Sequence, residues 1–416
     1  MLDFDTALAH LLAAARRITD VETVPLLSAN GRVLAADVIA PIDVPGFDNS
    51  AMDGYALHIA DFAAPPTDFI ISQRIAAGEV GTSLAAGEAA RIFTGAPIPA
   101  GANAVAMQEV CSVVEGRVMV NPPHPLPSPA GGEGDEQRLR RDFICAGANI
   151  RRAGEDIAAQ AVVLAKGTRL GAAEIGLAAS IGMPTLSVVR PLKVALLSTG
   201  DELVEPGSAL SAGQIYNSNR YAIHTLLQSL GCIVTDFGIV ADDKEATIAL
   251  LEKAAAEHDV VMTSGGVSVG EEDHVRVAVE YLGILNLWKI AMKPGKPFAH
   301  GRIGEADFIG LPGNPVSSFV TFLMLVRPFL LARQGVAALE PVRLPLIAAF
   351  DWKKAGDRRE FLRVRLNSAG QVELFPRQGS GLLMSMVWSD GLVDLAAGDT
   401  VAVGDVVSYL PLSALL

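Results

Sequence analysis

The sequence lacks the marks of several common function classes. Its 416 residues contain three cysteines, Cys111, Cys145 and Cys232, with no CxxC spacing, and seven histidines that form neither HxxxH nor HExxH. A disulfide framework and a zinc-ligand set are thereby excluded, and the thiol usage suits a reducing cytoplasm. Positive charge is in deficit: 33 Lys and Arg stand against 46 Asp and Glu, a net charge of −13. A chain this acidic is a poor general nucleic-acid binder, although it can bind an anion wherever its cations gather. Apolar runs are broken well short of the roughly 18 residues of a membrane span, so no membrane partner is expected. The N-terminus, MLDFDTALAHLLAAARRITD, places acids before its apolar stretch, the wrong order for a secretory signal. It reads instead as an amphipathic helix with Phe4, Leu8, Leu11, Leu12, Ala15 and Ile18 on one face. Neither GxxxxGK[ST] nor an internal repeat is present.

What is present is an apolar half of the composition, enough for several cores in a chain of this length. Strand-like and helix-like segments alternate between 192 and 335: LKVALL (192–197), a helix over 218–231, CIVTDFGIV (232–240), a helix over 244–258, DVVMTS (259–264), a helix over 274–283, ILNLWKI (284–290), a hairpin over 297–311 and a long helix over 315–335. That alternation predicts a mostly parallel, three-layer α/β domain. Short alternating strands between Gly and Pro over 43–144 predict a β-rich domain inserted in another. Residues 122–141, PPHPLPSPAGGEGDEQRLRR, cannot bury a core and read as a flexible surface insertion. Beyond Leu339 the segments VRLPLIAAF, FLRVRL, QVELFPR and DTVAVGDVVSYL predict a C-terminal β-barrel or sandwich. The expected division is thus an N-terminal helix in 1–24 packing on the α/β domain and a linking domain from 25–42 and 145–167. The β-rich domain follows in 43–144, the α/β domain in 168–335 and the C-terminal β domain in 340–416.

In an open parallel sheet, ligands bind beyond the carboxyl ends of the strands. Four unusual loops follow predicted strands: STGDEL (198–203), TSGGVSVGEEDH (263–274), MKPGKP (292–297) and GLPGNPVS (310–317). The glycines of 263–270 let backbone N–H groups approach a ligand, and the serines add donors. Lys293 and Lys296, framed by proline and glycine, aim two ammonium groups suited to an oxyanion. Asp201 and Asp273 supply carboxylates, and Mg²⁺ binds through one or two carboxylates plus substrate phosphates. Either aspartate reads equally as a helix N-cap. Elsewhere VPGFDNSAMDGYAL (44–57), IFTGAPIPAGANAV (92–105) and RRAGEDI (151–157) are weak as isolated motifs, the last also reading as a salt-bridged turn. WKKAGDRREFLRVR (352–365) gathers six basic and two acidic residues, a candidate wall for an anion or the polar face of a strand.

The segments PGFDNSAMDGYA, FTGAPIPAGANAV, IRRAGEDI, STGDEL, QIYNSN, TSGGVSVG, MKPGKP and GLPGNPVS occur in one order. In that combination the chain resembles the molybdopterin molybdenumtransferase family, the MoeA-like proteins and the C-terminal part of gephyrin, from about residue 4 to its end. The resemblance implies insertion of molybdenum from molybdate into adenylylated molybdopterin, releasing AMP and the molybdenum cofactor, with Mg²⁺ as the metal. It also implies an elongated homodimer of four-domain subunits, with other cofactor-pathway enzymes as further partners. By the same motifs, Asp53, Thr94 and Glu155 face the partner's site, and Asp201, Glu271 and Asp273 are the metal-binding candidates. Ser264, Gly265, Gly266 and Ser268 line the phosphate, Lys293 and Lys296 contact phosphate or molybdate, and Pro312 and Pro315 shape the wall beside them. Arg359 and Ser385 are further candidates for molybdate. Two departures stand out: Glu271-Glu272-Asp273 replaces the family's Asp-x-Asp, and 122–141 is an insertion. The sister activity, adenylylation of molybdopterin, needs only the α/β part. A scaffold binding a partner peptide is the alternative of another class.

Overall fold

After Lys193 the run VALLST has no polar side until its end, and it forms an inner strand of a sheet covered on both faces. The computed structural model describes residues 1–59, 68–120, 144–240, 243–266 and 274–416, divided into two compact units. One unit is Met1–Ala36, Lys166–Ile175 and Thr185–Leu416; the other is Asp37–Ala165 and Gly176–Pro184. The insertion expected at 122–141 lies outside the described residues.

The second unit is built on six strands: β1 (Gly54–Leu57), β2 (Asp68–Ile75), β3 (Glu88–Ile92), β4 (Ala104–Met107), β5 (Cys111–Val114) and β6 (Arg117–Val120). Their order is β4-β1-β3-β2-β6-β5, with β2 and β3 parallel and the other pairs antiparallel. Period-two alternation gives the sheet two apolar faces. Tyr55, Leu57, Phe69, Ala89 and Ala106 pack on one, and Ala56, Ile75, Ala90, Ile92 and Val105 on the other. The expected strand ARIFTG is offset: β3 stops at Ile92, and Thr94 stands in the turn that follows.

The first unit holds the α/β sheet: β7 (Lys193–Thr199), β8 (Ile233–Val240), β9 (Val260–Ser264), β10 (Gly283–Lys289), β11 (Pro297–Ile303) and β12 (Ala306–Leu311), ordered β8-β7-β9-β12-β11-β10. β8, β7, β9 and β12 are mutually parallel, and β11 runs antiparallel to both β12 and β10. The helices are α1 (Phe4–Ala14), α2 (Ser218–Ser229), α3 (Lys244–Glu257), α4 (His274–Leu282) and α5 (Pro315–Arg333). Val194 and Leu196 pack with α1, α2 and α5 on one side, while Ala195 and Leu197 pack with α3 and α4 on the other, which makes the three layers. Helix α5 is long and apolar enough to cross a membrane, but 78% of its apolar window is buried inside the fold, so it serves as a core helix. A π segment, Phe322–Val326, interrupts it just before Pro328. A proline there has no N–H to give the preceding turn, and the wider turn absorbs that loss.

The C-terminal part has β13 (Leu344–Ile347), β14 (Arg359–Leu366), β15 (Val372–Leu374), β16 (Gly391–Leu395) and β17 (Val406–Pro411). β14, β16, β17 and β13 pair in that order, and Met292–Lys293 of the α/β part adds to the β14 edge. Two expectations are corrected here. The long run DTVAVGDVVSYL is a strand only over Val406–Pro411, because Gly404 turns the chain at φ 98°. The inner strand β16, GLVDL, was not expected, nor was the antiparallel pairing of Val21–Pro25 with Thr185–Val189.

Candidate functional site at the carboxyl edge of the sheet

Sheet direction decides which loops meet. β7, β9 and β12 are parallel, so the loops after Thr199, Ser264 and Leu311 leave from one edge. β10 is antiparallel to β11, which is antiparallel to β12, so β10 ends at that same edge, where Lys289 faces Pro297. All four unusual loops therefore share one rim, the edge at which open α/β sheets bind ligands.

The loops after β7, β9 and β12 interlock. Gly265 and Gly266 have φ values of +91° and +65°, and a Cβ on them would stand 2.7 Å from the Thr199 carbonyl oxygen and 2.8 Å from its Oγ1. A side chain at either position is thus excluded twice, by backbone conformation and by space. The Gly265 N–H donates to the Leu311 carbonyl at 3.1 Å. Ser198 and Ser264 are register partners on β7 and β9, both buried. Their hydroxyls and that of Thr199 have no hydrogen-bond partner among the described residues. Buried hydroxyls are normally paired, so this oxygen-rich edge has donors in reserve. Asp201 is exposed in the turn after Gly200 and caps none of the described helices. The cap of α2 is Asn217, and Asn219 Nδ2 donates to the Gly313 carbonyl at 2.7 Å, which ties QIYNSN to GLPGNPVS. Pro312 is buried, and Pro315 opens α5 in its first turn, where a missing N–H costs nothing.

The two lysines of 292–297 are not equivalent. Lys293 Nζ lies 3.1 Å and 3.3 Å from the Glu360 carboxylate oxygens and 5.7 Å from the centre of the Trp352 ring. Glu360 is buried, and its strand β14 pairs with Met292–Lys293, so backbone register sets this ion pair. Lys296 is exposed and makes no side-chain hydrogen bond or ion pair among the described residues. Between them Gly295, at φ +113°, sits where a Cβ would be 2.2 Å from Thr321 Oγ1, so the turn is pressed against α5. Glu360 and Trp352 were missed by sequence reasoning; the signal was a lone carboxylate opening the buried run EFLRV.

The C-terminal candidates are placed differently. Arg359 Nε and Nη2 grip Asp394 at 2.6 and 2.7 Å, and its Nη1 donates to Asp5 at 2.7 Å. Burial alone would raise the Asp394 carboxyl, but Arg359 and Arg343 outweigh it and hold the group below the ordinary carboxylate range. Although its backbone adjoins Met292, the Arg359 side chain is committed to these acids. Ser385 is fully buried and its hydroxyl has no partner among the described residues. The basic segment 352–365 is not an open cationic wall. Arg363 is buried and donates to the Phe361 carbonyl, burial pushing it down to about 10, while Arg365 pairs with Glu373 and Lys353 with Asp351.

In the second unit Asp53 and Thr94 meet. Asp53 Oδ1 accepts from both the backbone N–H and the hydroxyl of Thr94 at 2.8 Å, and these bonds hold its carboxyl below the usual range. Glu155 accepts instead from the Arg152 N–H at 2.8 Å, and Arg152 pairs with Asp48. No hydrogen bond or ion pair among the described residues joins Glu155 to Asp53 or Thr94. Ser268, Glu271 and Asp273 lie outside the described residues. Among the described residues no group of three or more His, Cys, Asp or Glu could hold a metal, and Asp201 is the one metal candidate that remains in view.

Three domain models match in series: the MoeA N-terminal region (domain I and II) over residues 2–182, a probable molybdopterin binding domain over 195–332, and the MoeA C-terminal region (domain IV) over 345–412. The chain is 39% identical over 415 residues to a protein of Haemophilus influenzae named molybdopterin molybdenumtransferase, covering 97% of this chain and 98% of that one. The chain belongs to the MoeA family. A Mycobacterium tuberculosis relative, molybdopterin molybdenumtransferase 2, is 35% identical over 93% of both chains. A crystal structure of a molybdopterin biosynthesis MoeA protein from Pyrococcus horikoshii superposes with a TM-score of 0.81 at 27% identity, covering 99% of this chain and all of that one. The MoeA architecture accounts for both the α/β sheet and the C-terminal half-barrel.

Proposed function

We propose that this chain inserts molybdenum from molybdate into adenylylated molybdopterin and releases AMP with the finished cofactor. The observation that carries the reading is the convergence of four loops on one sheet edge, in a chain matched end to end by proteins named for this transfer. The Gly266 N–H, with the Ser264 hydroxyl, is suited to the phosphate of the substrate, while the Gly265 N–H ties the loop to Leu311. Lys296 is exposed and pairs with no acid among the described residues, so it can hold an oxyanion as the phosphoanhydride is cleaved. Lys293, steered by Glu360 and Trp352, is the second cation.

Mg²⁺ is part of the proposal. The donors in view, the Asp201 carboxylate and the hydroxyls of Thr199 and Ser264, are all hard oxygens and fit that ion. When bound it supplies neutralisation of the phosphoanhydride charge. A homodimer is also inferred, Asp53, Thr94 and Glu155 being the residues it would lend to a second copy's site. The unpaired thiols Cys111, Cys145 and Cys232 favour a cytoplasmic setting. AMP release from adenylylated molybdopterin is the test. Release that requires molybdate and Mg²⁺ and is lost in Asp201→Ala is expected. A folded chain that releases no AMP would overturn the reading in favour of a binding role.

A further inference from the structure

On the sheet of the second unit, Tyr55, Arg91 and Arg74 form one row across β1, β3 and β2. The Arg91 guanidinium lies 5.1 Å from the Tyr55 ring centre and 4.7 Å from that of Phe93, and Arg74 lies 4.5 Å from the same Phe93 ring. Arg91 is fixed in place: its Nη1 donates to the Gly54 carbonyl at 3.0 Å and its Nη2 to Gln108 Oε1 at 2.6 Å. Arg74 is exposed and makes no hydrogen bond through its guanidinium among the described residues, and neither arginine has an ion-pair partner there. Like charges directly opposite one another on neighbouring strands destabilise a sheet. No carboxylate makes an ion pair with either among the described residues, although the Arg91 charge acts on Asp53 from a greater distance.

The juxtaposition is made by an irregularity. Ile71 pairs with Ala89, but Gln73, not Ser72, pairs with Ala90, and Arg74 then falls opposite Arg91. In an unbroken register the neighbour of Arg91 would be Gln73, a neutral amide. The extra residue, Ser72, is a bulge that turns Arg74 onto the Tyr55 face and Ile75 into the opposite core. Bulges recur where a side chain has to be re-aimed at a functional site. The place is also next to chemistry: the Gln108 that receives Arg91 donates its own N–H to the Asp53 carbonyl at 3.0 Å, and Asp53 holds Thr94, the residue after Phe93.

We propose that Arg74 and Arg91, held over Phe93, form a binding site for a phosphoryl oxyanion. The Arg74 fork, beside the fixed charge of Arg91 on one aromatic platform, matches the oxygens of a phosphate or diphosphate, and the platform orders both before the ligand arrives. Asp53, whose Oδ1 is held by Thr94, feels the Arg91 charge but makes no ion pair with either arginine. The proposal rests on the reading above only in naming the phosphate group of the adenylylated substrate as the natural occupant.

Inorganic pyrophosphate titrated into the full chain at low salt by calorimetry is the probe. In a Lys293→Ala/Lys296→Ala background, which removes the rim cations, pyrophosphate should still bind. Adding Arg74→Ala should weaken that binding roughly 10- to 100-fold, the usual worth of charge-assisted hydrogen bonds. Arg74→Lys should restore only part of it, because a point charge replaces a fork. Because Arg74 is exposed, an unchanged melting temperature should accompany the loss. Pyrophosphate binding absent from the native chain, abolished by the two lysine changes alone, or indifferent to Arg74→Ala would overturn the site. A chain that keeps Arg74-dependent pyrophosphate binding yet releases no AMP would refute the proposed activity and leave the site standing.

Discussion

Two segments of this protein concentrate positive charge, the 292–297 turn and the 352–365 strand region, and they put it to opposite uses. In the strand region most cations face acids: Asp5 and Asp394, from far along the chain, for Arg359, Glu373 across the neighbouring strand for Arg365, and the nearby Asp357 and Asp351 for Arg358 and Lys353. That charge is spent on holding the C-terminal sheet together. In the turn only Lys293 is paired among the described residues, to the buried Glu360, and Lys296 is exposed. The richer cluster in sequence is therefore the poorer anion site. What decides availability is the counter-acid, and the buried counter-acids, Asp394 and Glu360, arrive through tertiary register.

That contrast can be broken most forcefully at Asp394. Its side chain is 3% exposed and holds both Arg359 and Arg343. Asp394→Ala should cost about 2–4 kcal/mol in urea unfolding, because a buried acid loses its charge-assisted hydrogen bonds to two arginines, which remain partly exposed, Arg359 keeping Asp5. A loss under about 0.5 kcal/mol, within the range of ordinary surface changes, would show that the strand arginines are not structural.

A second, smaller effect sharpens the contrast with a buried group that has no such rescue. His300 lies between Trp288 and Phe329, near Asp307 and Arg333, and burial, with a lesser contribution from Arg302, pushes its pKa down to about 4. Its folded value is below the unfolded one, so the unfolded chain takes up the proton first as pH falls. Stability is full above the unfolded value of 6.5 and declines from there toward about 4, by on the order of 3 kcal/mol at most. Urea midpoints measured across that window should fall, and His300→Gln should flatten the slope. An unchanged slope in the variant would assign the acid sensitivity elsewhere.

The smallest expected effect is at Lys296. Lys296→Ala should leave the unfolding free energy within about 0.5 kcal/mol of the native chain, as an exposed side chain with no partner among the described residues can be removed cheaply. A large destabilisation would place Lys296 with the structural cations and erase the distinction.

Much of this was legible in the sequence, and unevenly. Period-two and helical patterns located every strand of the α/β sheet because each is an apolar-rich run between turn signals, buried on both faces in the inner strands and half-exposed in the edge strands β8 and β10. Parallel connectivity then placed four loops on one edge without any side-chain detail. The pairing of Lys293 with Glu360 was not legible, since it depends on Met292–Lys293 joining the edge of β14, a contact between residues 67 positions apart. The Ser72 bulge was equally hidden: DFIISQRI alternates well enough to predict a strand, but only the partner strand reveals that one residue is extra. The strand GLVDL escaped because it is short and follows a helix, Met384–Trp388, that was itself not foreseen. The charge balance of 352–365 misled because composition counts cations without their distant acids.

The most direct test of the central claim is AMP release from adenylylated molybdopterin by the native chain and by Lys296→Ala, each with and without molybdate. The account predicts molybdate-dependent release by the native chain and a loss of about 100-fold or more in the variant, the scale of removing one charge-stabilising donor from a transition state. Undiminished release by a folded Lys296→Ala would contradict it, because the cation left free at the sheet edge would then have no part in the reaction.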